Sequence, residues 1–582
     1  MRGARRLWFE ALAVFAAALG FLFALAPSAP FTKELGVCES GAVRDVLAGN
    51  VVLPHFIPGP MVHVPPLYWW SAALCVRAFG WTELALRLPS IVAAAATCAV
   101  IFAWLGATVS RRAGFWGAAS LLLCHFFTDA ARQPRMDSML ALFVTAAAVC
   151  LERAVAVGET TPAVVAGSAE GSEMCSAPSR RYLFLALAAL MMGLGILAKG
   201  VLGILLPGIA LGLFMLVRRR FWELFRPDLI VAFVVALGIG LAWYVAAFQV
   251  GGDPFLQWQV EMNLWNRFIP TSAGGAGYCA HPFYYFIPQT LKGFIPWSLY
   301  LPAVALWLWP RRGRRLAGPV VYGLCWFAAI FIFFSSSQGK CLVYILPAFA
   351  PLAALTGCGI DRAGEVLEGR AFLAVFTLGS IVIAIGALAM ALAGLGAVLV
   401  GIPTIPFHLH PTDRDFLAIF AALAQRRAPS LLAWIAVFII GGALSLFAAR
   451  RLNPRWQSAG VLTIAAAGTL FWFGVMNPAL ARRETLRGFA REVTEIVPPG
   501  AVVGHIGLGD CELNFYSPQP LPEVNHFQCS DDAAVPDYLV LRRRRFEKMG
   551  PAQRSCLKPI MQSADVDGKG TRLLVERIDS SP

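Results

Sequence analysis

The sequence predicts an all-α polytopic membrane protein of about thirteen transmembrane helices, with a small α/β domain at its C-terminal end. Three observations carry this reading. Of 582 residues, 58% are hydrophobic and 14% charged, which is too little charge for a soluble chain of this length. Apolar windows of roughly 17–25 residues recur, each long enough to cross a bilayer as a helix. The basic residues sit in short clusters between those windows, the pattern of cytoplasmic loops. The formal charge of +14 is therefore no sign of a nucleic-acid partner, and none is expected.

Taken in order, the first span covers about Leu7 to Ala26 and follows the basic run MRGARR. Its apolar stretch is long for a signal peptide and no clear small-x-small cleavage site follows, so it reads as a retained helix with a cytoplasmic N-terminus. A mixed polar segment, residues 34–70, comes next. It holds acids, a short amphipathic stretch and a Pro-Pro-aromatic run. Spans two to four lie near Ile91–Leu105, Phe115–Phe127 and Ser138–Leu151. The Gly/Ser/Ala-rich stretch 158–181 reads as a flexible linker. Spans five and six, Tyr182–Ala198 and Val201–Val217, form a tight hairpin about Lys199-Gly200. Span seven, Leu229–Phe248, leads into an aromatic outer segment, residues 251–292. Spans eight to thirteen follow near Gly293–Leu308, Val320–Phe334, Leu342–Leu355, Ala371–Val400, Leu431–Phe447 and Val461–Val475, with residues 403–429 as an outer loop. Seven basic clusters, near Arg5, Arg111, Arg180, Arg218, Arg311, Arg362 and Arg450, then fall on one side, as the positive-inside rule asks.

Residues 1–480 thus read as a membrane domain whose outer loops, 27–85 and 251–292, cover a site. Residues 481–582 read as an outer α/β domain. There, ETLRGFAREVTEIV puts Leu486, Phe489, Val493 and Ile496 on one helical face. AVVGHI, DYLVL and RLLVERI read as strands. Most of the thirteen cysteines fall in apolar spans and read as small core residues. Cys38, Cys279, Cys511, Cys529 and Cys556 fall outside, where one or two disulfides would fit but no pairing can be read.

Asp137 stands at the outer end of an apolar span, where a carboxylate near lipid is costly and a functional role is the default. The plainer reading is an interfacial residue paired with Arg132 or Arg135. Lys199, between two apolar spans, could serve a site or simply snorkel to the interface. Lys340 and Tyr344 lie one helical turn apart and could grip a phosphate as point charge and donor; a belt aromatic beside a charge is the alternative. Arg267, in EMNLWNRF, could make a forked phosphate contact. His63 and His281 are metal-ligand types, although two histidines far apart in sequence are weak evidence for a metal.

The pieces VRDVLAGNVVLPH, PPLYWW with FGWTELALRLPS, ARQPRMDSMLALF, ILAKGVLGILLPG, NLWNRF, HPFYYFIPQTLKGFIPW and SSSQGKCLVYILPAFAPLAAL together resemble the polyprenyl-phosphate-sugar glycosyltransferases of the GT-C class. This is the superfamily of the protein O-mannosyltransferases and the bacterial lipid A 4-amino-4-deoxy-L-arabinose transferases. The outer C-terminal domain is most similar to the latter branch. The resemblance implies a GT-C fold in a bacterial inner membrane, with the C-terminal domain periplasmic. It implies a polyprenyl (undecaprenyl) phosphate-sugar donor, and lipid A or another envelope glycolipid as acceptor. By the same resemblance Asp137 and Glu39 would be the catalytic acids, with Glu34 the rival of Glu39. Arg267, Lys340, Tyr344 and Lys199 would hold the donor phosphate. No cofactor is required, although a divalent metal such as zinc could bridge His63 and His281. The chain departs from the family at His63-Val64, where the family has Glu-Lys, and at Cys38-Glu39, where it has Asp-Glu. A protein O-mannosyltransferase, or a transporter of lipid-linked sugars, would be the alternatives; the absence of internal repeats argues against the transporter.

Overall fold

The computed structural model describes residues 2–26, 29–32, 37, 39–55, 64–159, 176–260, 281–309, 316–337, 339–363, 370–401, 411–506, 511–524, 527, 536–563 and 571–578. Helices dominate as far as Ile496, and strands are confined to Val503–Arg577. Ten described helices are long and apolar enough to cross a membrane, or eleven if one bent pair is counted as a span. The chain is a multi-pass membrane protein.

All thirteen apolar segments are at least partly helical, but three fall short of a straight crossing. Helix α5 (Arg111–Leu122) has 12 residues and α9 (Leu202–Val217) has 16. At about 1.5 Å per residue neither spans the roughly 30 Å hydrocarbon core. The third segment is broken, with the helix Phe286–Gly293 turned by 108° from Trp297–Leu308. Among the described residues, ten or eleven helices rather than thirteen have the length and composition of a full crossing.

The long helices that matter for the site are α1 (Arg2–Leu25), α4 (Glu83–Thr108), α7 (Asp137–Glu159), α8 (Ser176–Lys199) and α10 (Pro227–Val260). Thr82 starts α4 by accepting the Ala85 N–H at 3.1 Å, a side-chain N-cap. Two arginines close the C-terminal end of α1. Arg87 donates to the Ala26 and Ala29 carbonyls at 2.7 Å each, and its guanidinium lies 4.5 Å over the Phe31 ring. Arg132 donates twice to the Leu25 carbonyl, at 3.2 and 3.0 Å, and once to Asn477. Carbonyls that a helix end leaves without partners are thus paired inside the protein, and the direction in which the outer loop departs is fixed.

The hairpin between α8 and α9 is built by glycine. Gly200 takes φ of +74°, and a Cβ on Gly203 would lie 2.1 Å from the Gly195 carbonyl carbon. The two backbones touch, and only the smallest residue permits it. This contact fixes Lys199, the last residue of α8.

The outer loop carries two helices, α2 (Glu39–Leu47) and α3 (Leu67–Phe79). The loop reading anticipated only one short helix, because Pro65-Pro66 and the aromatic run look like loop when their packing is unseen. The described part of residues 403–429 also holds a helix, Pro411–Gln425, rather than loop alone. Its Phe416, Ile419, Phe420 and Leu423 recur at helical spacing.

The C-terminal sheet has the order β1 (Val503–Ile506), β2 (Tyr538–Arg542), β4 (Arg572–Arg577), β3 (Leu557–Gln562). Strand β1 is parallel to β2, and the other pairs are antiparallel. Val540 and Leu574 face Phe489 and Val493 of the helix Arg487–Ile496, while Leu539, Leu541, Leu573 and Val575 face the other side. Ile496, expected on the buried helical face, is exposed at the last turn. Strand β3 was not anticipated: it is a polar edge strand carrying Pro559, a place where proline is tolerated and hydrophobic alternation is weak. Cys511 and Cys556 each take part in a disulfide.

Gly203→Ala is expected to lower the melting temperature of the detergent-solubilised protein, at a cost of about 1–3 kcal/mol typical of overpacking. An unchanged unfolding curve would mean that the hairpin can open to admit a methyl group.

Candidate active site

Asp137 is the first residue of α7, where the helix dipole favours an anion. It is 4% exposed, so it is not a residue in interfacial water. Its Oδ1 accepts from the Lys199 ammonium, and its Oδ2 from Arg135 Nε at 3.2 Å. Of the two arginines considered as partners, Arg135 is the one that pairs. Lys199 does not snorkel away; its Nζ also lies 5.0 Å from the centre of the Tyr344 ring.

Glu39 opens α2 and comes from the outer loop to the same place. Trp69 of α3, fully buried, donates its indole N–H to Glu39 Oε2 at 2.5 Å. The residue as a whole is only half-buried, but its carboxyl is the inward end. Burial pushes the Glu39 carboxyl up to about 7. The Trp69 hydrogen bond and the charges of Arg135 and Lys199 pull it down, while Asp137 pushes it up. Loss of solvation dominates, as expected for a carboxylate drawn from water. Glu39, Asp137, Arg135 and Lys199 therefore form one electrostatic unit.

The C-terminal domain holds α2 in place. Arg44 donates to the Ser517 carbonyl at 2.6 Å and the Pro518 carbonyl at 3.0 Å, and lies 4.4 Å over the Trp81 ring. Trp81 stacks on Phe515 and donates to its carbonyl at 3.0 Å. Tyr516 donates to Glu83 at 2.6 Å and accepts the Phe31 N–H at 2.8 Å. The helix Cys511–Tyr516 is thus a clamp on the loop that carries Glu39.

Lys340 is buried, and its ammonium donates to the carbonyls of Ser337 and His281, the latter at 3.0 Å. It does not share a helical turn with Tyr344. The chain is extended at Cys341, and a 3-10 helix, Leu342–Ala348, begins only after it. Tyr344 turns toward Lys199, whereas Lys340 turns toward the start of the bent segment. His281 stacks flat on Tyr285, with centroids 4.0 Å apart. Arg267, His63 and Glu34 lie outside the described residues. Among the described residues no group of three or more His, Cys, Asp or Glu could hold a metal.

The sequence reading missed the parts played by Arg135 and Trp69. Arg135 had been weighed only as a surface partner, and Trp69 only as part of an aromatic run. Nothing local marks an indole that will meet a carboxylate 30 residues away.

A family model described as dolichyl-phosphate-mannose-protein mannosyltransferase matches residues 63–176. An undecaprenyl phosphate-alpha-4-amino-4-deoxy-L-arabinose arabinosyl transferase from Proteus mirabilis is 27% identical over 347 residues, 58% of each chain. Its counterpart from Edwardsiella ictaluri is 29% identical over 428 residues, 72% of this chain and 69% of the relative. The match thus spans little more than half the length of the first of these relatives. The crystal structure of ArnT from Cupriavidus metallidurans bound to undecaprenyl phosphate superposes with a TM-score of 0.70 at 19% identity, covering 98% of this chain and 99% of that one. Its apo form gives 0.68 at 20%. The chain is thus similar in sequence to the aminoarabinose transferases over part of its length, and it has the fold of the solved ArnT structures. That likeness extends over nearly the whole chain, membrane helices and C-terminal sheet together.

Glu39→Gln keeps the Trp69 hydrogen bond and removes the charge. The carboxyl is raised from 4.5 to about 7 on folding, so the folded state holds a proton the unfolded chain releases. The stability this contributes is present below about 4.5 and lost as pH rises through about 7. Melting curves should therefore show Glu39→Gln gaining on the wild type at pH 8 and not at pH 4. Equal shifts at both pH values would place the Glu39 carboxyl in water.

Proposed function

We propose that this chain is a GT-C glycosyltransferase that transfers a sugar from an undecaprenyl phosphate-linked donor to lipid A or another envelope glycolipid, on the periplasmic face of a bacterial inner membrane. One observation carries the reading: Asp137, clamped by Lys199 and Arg135, stands beside Glu39 at the outer ends of the spans, under a loop secured by the C-terminal domain. The activities for which the relatives are named support it. Disulfides at Cys511 and Cys556 belong to an oxidising compartment, which supports a periplasmic C-terminal domain and, with the basic clusters, a cytoplasmic N-terminus.

In the proposed reaction the acceptor oxygen attacks the anomeric carbon of the sugar. The bond from that carbon to the phosphate oxygen breaks, and its electron pair leaves with the polyprenyl phosphate, which gains a negative charge. Fixed cations aimed at developing charge lower such a barrier. Lys199, Lys340 and Arg267 take that role, with Tyr344 as a donor. Lys340 exchanges the carbonyls of Ser337 and His281 for phosphate oxygens. A hydroxyl acceptor delivers its proton to Glu39, whose raised pKa suits a general base. Both Asp137 oxygens are occupied by cations, so Asp137 is assigned to orienting them and the sugar. A phosphate acceptor is already a nucleophile, and Glu39 then orients it.

The mannosyltransferase match over residues 63–176 favours a protein acceptor as the second reading. Mass spectrometry of envelope lipids, from cells with and without the protein, discriminates between them. A gained pentosamine or hexosamine mass on lipid A, lost with Asp137→Asn while membrane insertion stays normal, is the expected outcome. Unmodified lipid A in cells shown to make the donor would move the acceptor to protein. Full transfer by Asp137→Asn would remove that residue from the mechanism.

The reaction so written needs no cofactor. A metal shared by His63 and His281 is a separate reading, and chelation tests it. Transfer that survives exhaustive treatment with EDTA is the outcome expected from the fixed cations; loss restored by zinc would establish the metal.

A further inference from the structure

Three arginines gather near the end of α1, and two are turned onto backbone carbonyls. Arg87, 1% exposed, and Arg132, 5% exposed, spend their guanidinium groups on the carbonyls that end α1. Arg135 differs. Its backbone is held at both polar atoms by one hydroxyl: Ser90 Oγ donates to the Arg135 carbonyl at 2.7 Å and accepts the Arg135 N–H at 3.3 Å. Its side chain is oriented at a single point, Nε on Asp137 Oδ2 at 3.2 Å. No described residue bonds its two terminal nitrogens, and the side chain is 22% exposed. A guanidinium held by its inner nitrogen presents the outer pair as a planar fork, the geometry that matches two oxygens of a phosphate.

The neighbouring charges suit an anion. Lys199 lies on the other oxygen of Asp137, so two cations flank one carboxylate. Asp129, two turns earlier in the chain, feels the charge of Arg135, but its Oδ2 accepts from Gln133 at 3.0 Å and no bond joins it to Arg135. Lys340, the other cation among the described residues that the proposed reaction gives to phosphate, is held elsewhere by the carbonyls of Ser337 and His281.

We propose that Arg135 contacts substrate directly, its terminal nitrogens binding the oxygens of a phosphate ester beside the Asp137–Lys199 pair. This rests on the transferase reading and adds a phosphate-binding residue to it. The phosphate can come from the lipid-linked donor or from a phosphorylated glycolipid acceptor; the chemistry is the same and the experiment separates them.

The test uses the full-length protein in nanodiscs, with Arg135→Gln, Arg135→Lys and Arg77→Gln. Arg77 is an exposed residue of the outer loop, and its loss controls for a general change of surface charge. Binding of undecaprenyl phosphate is read without turnover. KM is then read for acceptor glycolipids with and without a phosphomonoester. Arg135→Gln should weaken one of these by roughly 10–100-fold, as expected for loss of a charge-assisted forked contact, while Arg77→Gln stays within twofold of wild type. A raised Kd for undecaprenyl phosphate assigns the contact to the donor. An unchanged Kd with a raised KM for the phosphorylated acceptor alone assigns it to the acceptor. Arg135→Lys should restore the melting temperature, because it keeps a cation on Asp137, but not the affinity. If Arg135→Gln lowers only kcat and melting temperature, Arg135 merely props Asp137 and the proposal is wrong; full recovery of affinity by lysine would overturn the fork. Failure of the wild type itself to bind undecaprenyl phosphate would instead count against the transferase reading.

Discussion

The site depends on one buried carboxylate held by two cations. Asp137 alone at that depth would be unstable as an anion, and Lys199 alone as a cation. Each charge makes the other tolerable, and Arg135 supplies the second contact. Removing one member of such a set costs roughly 3–5 kcal/mol, because the remaining charge is left buried without its partner. Three chain segments must therefore arrive together: the start of α7, the end of α8 and the turn before α7. The Gly195–Gly203 contact and the Ser90 strap on Arg135 are the local devices that make them meet.

Around that fixed charge set the other elements differ in how firmly they are committed. Glu39 sits at the edge, protonated or ionised at neutral pH according to small changes around it. Lys340 is bonded to two carbonyls, which are neutral acceptors that an anionic phosphate can replace. Such a division suits a transferase, in which the parts that meet substrate exchange partners while the frame does not.

Much of the architecture was legible because lipid imposes a strong rule on sequence. Every apolar run found by length was at least partly helical. The count erred where length alone decides, at α5, α9 and the bend after Gly293. Asp137 and Lys199 were legible as candidates because charges at span ends are costly. Their pairing was not, because it joins residues 62 positions apart. Trp69 and Arg135 carried no local sign, since an indole in an aromatic run and an arginine in a polar turn are ordinary. Strand β3 escaped because an edge strand needs little hydrophobic alternation. Lys340 and Tyr344 looked like partners on one helix, but the extended backbone at Cys341 sends them to different neighbours.

The clamp between Arg44 and the Ser517 carbonyl joins residues 473 positions apart. Contacts of such long sequence separation form late, and a chain emerging from the ribosome completes its C-terminal part last. The loop bearing Glu39 is made near the beginning of synthesis, yet its fastening arrives only when the C-terminal part has been made and folded. Assembly order is thereby written into the site. A nascent or truncated chain can thread its helices into the bilayer with the acid still unanchored, and the arrangement around Asp137 is complete only when the molecule is whole.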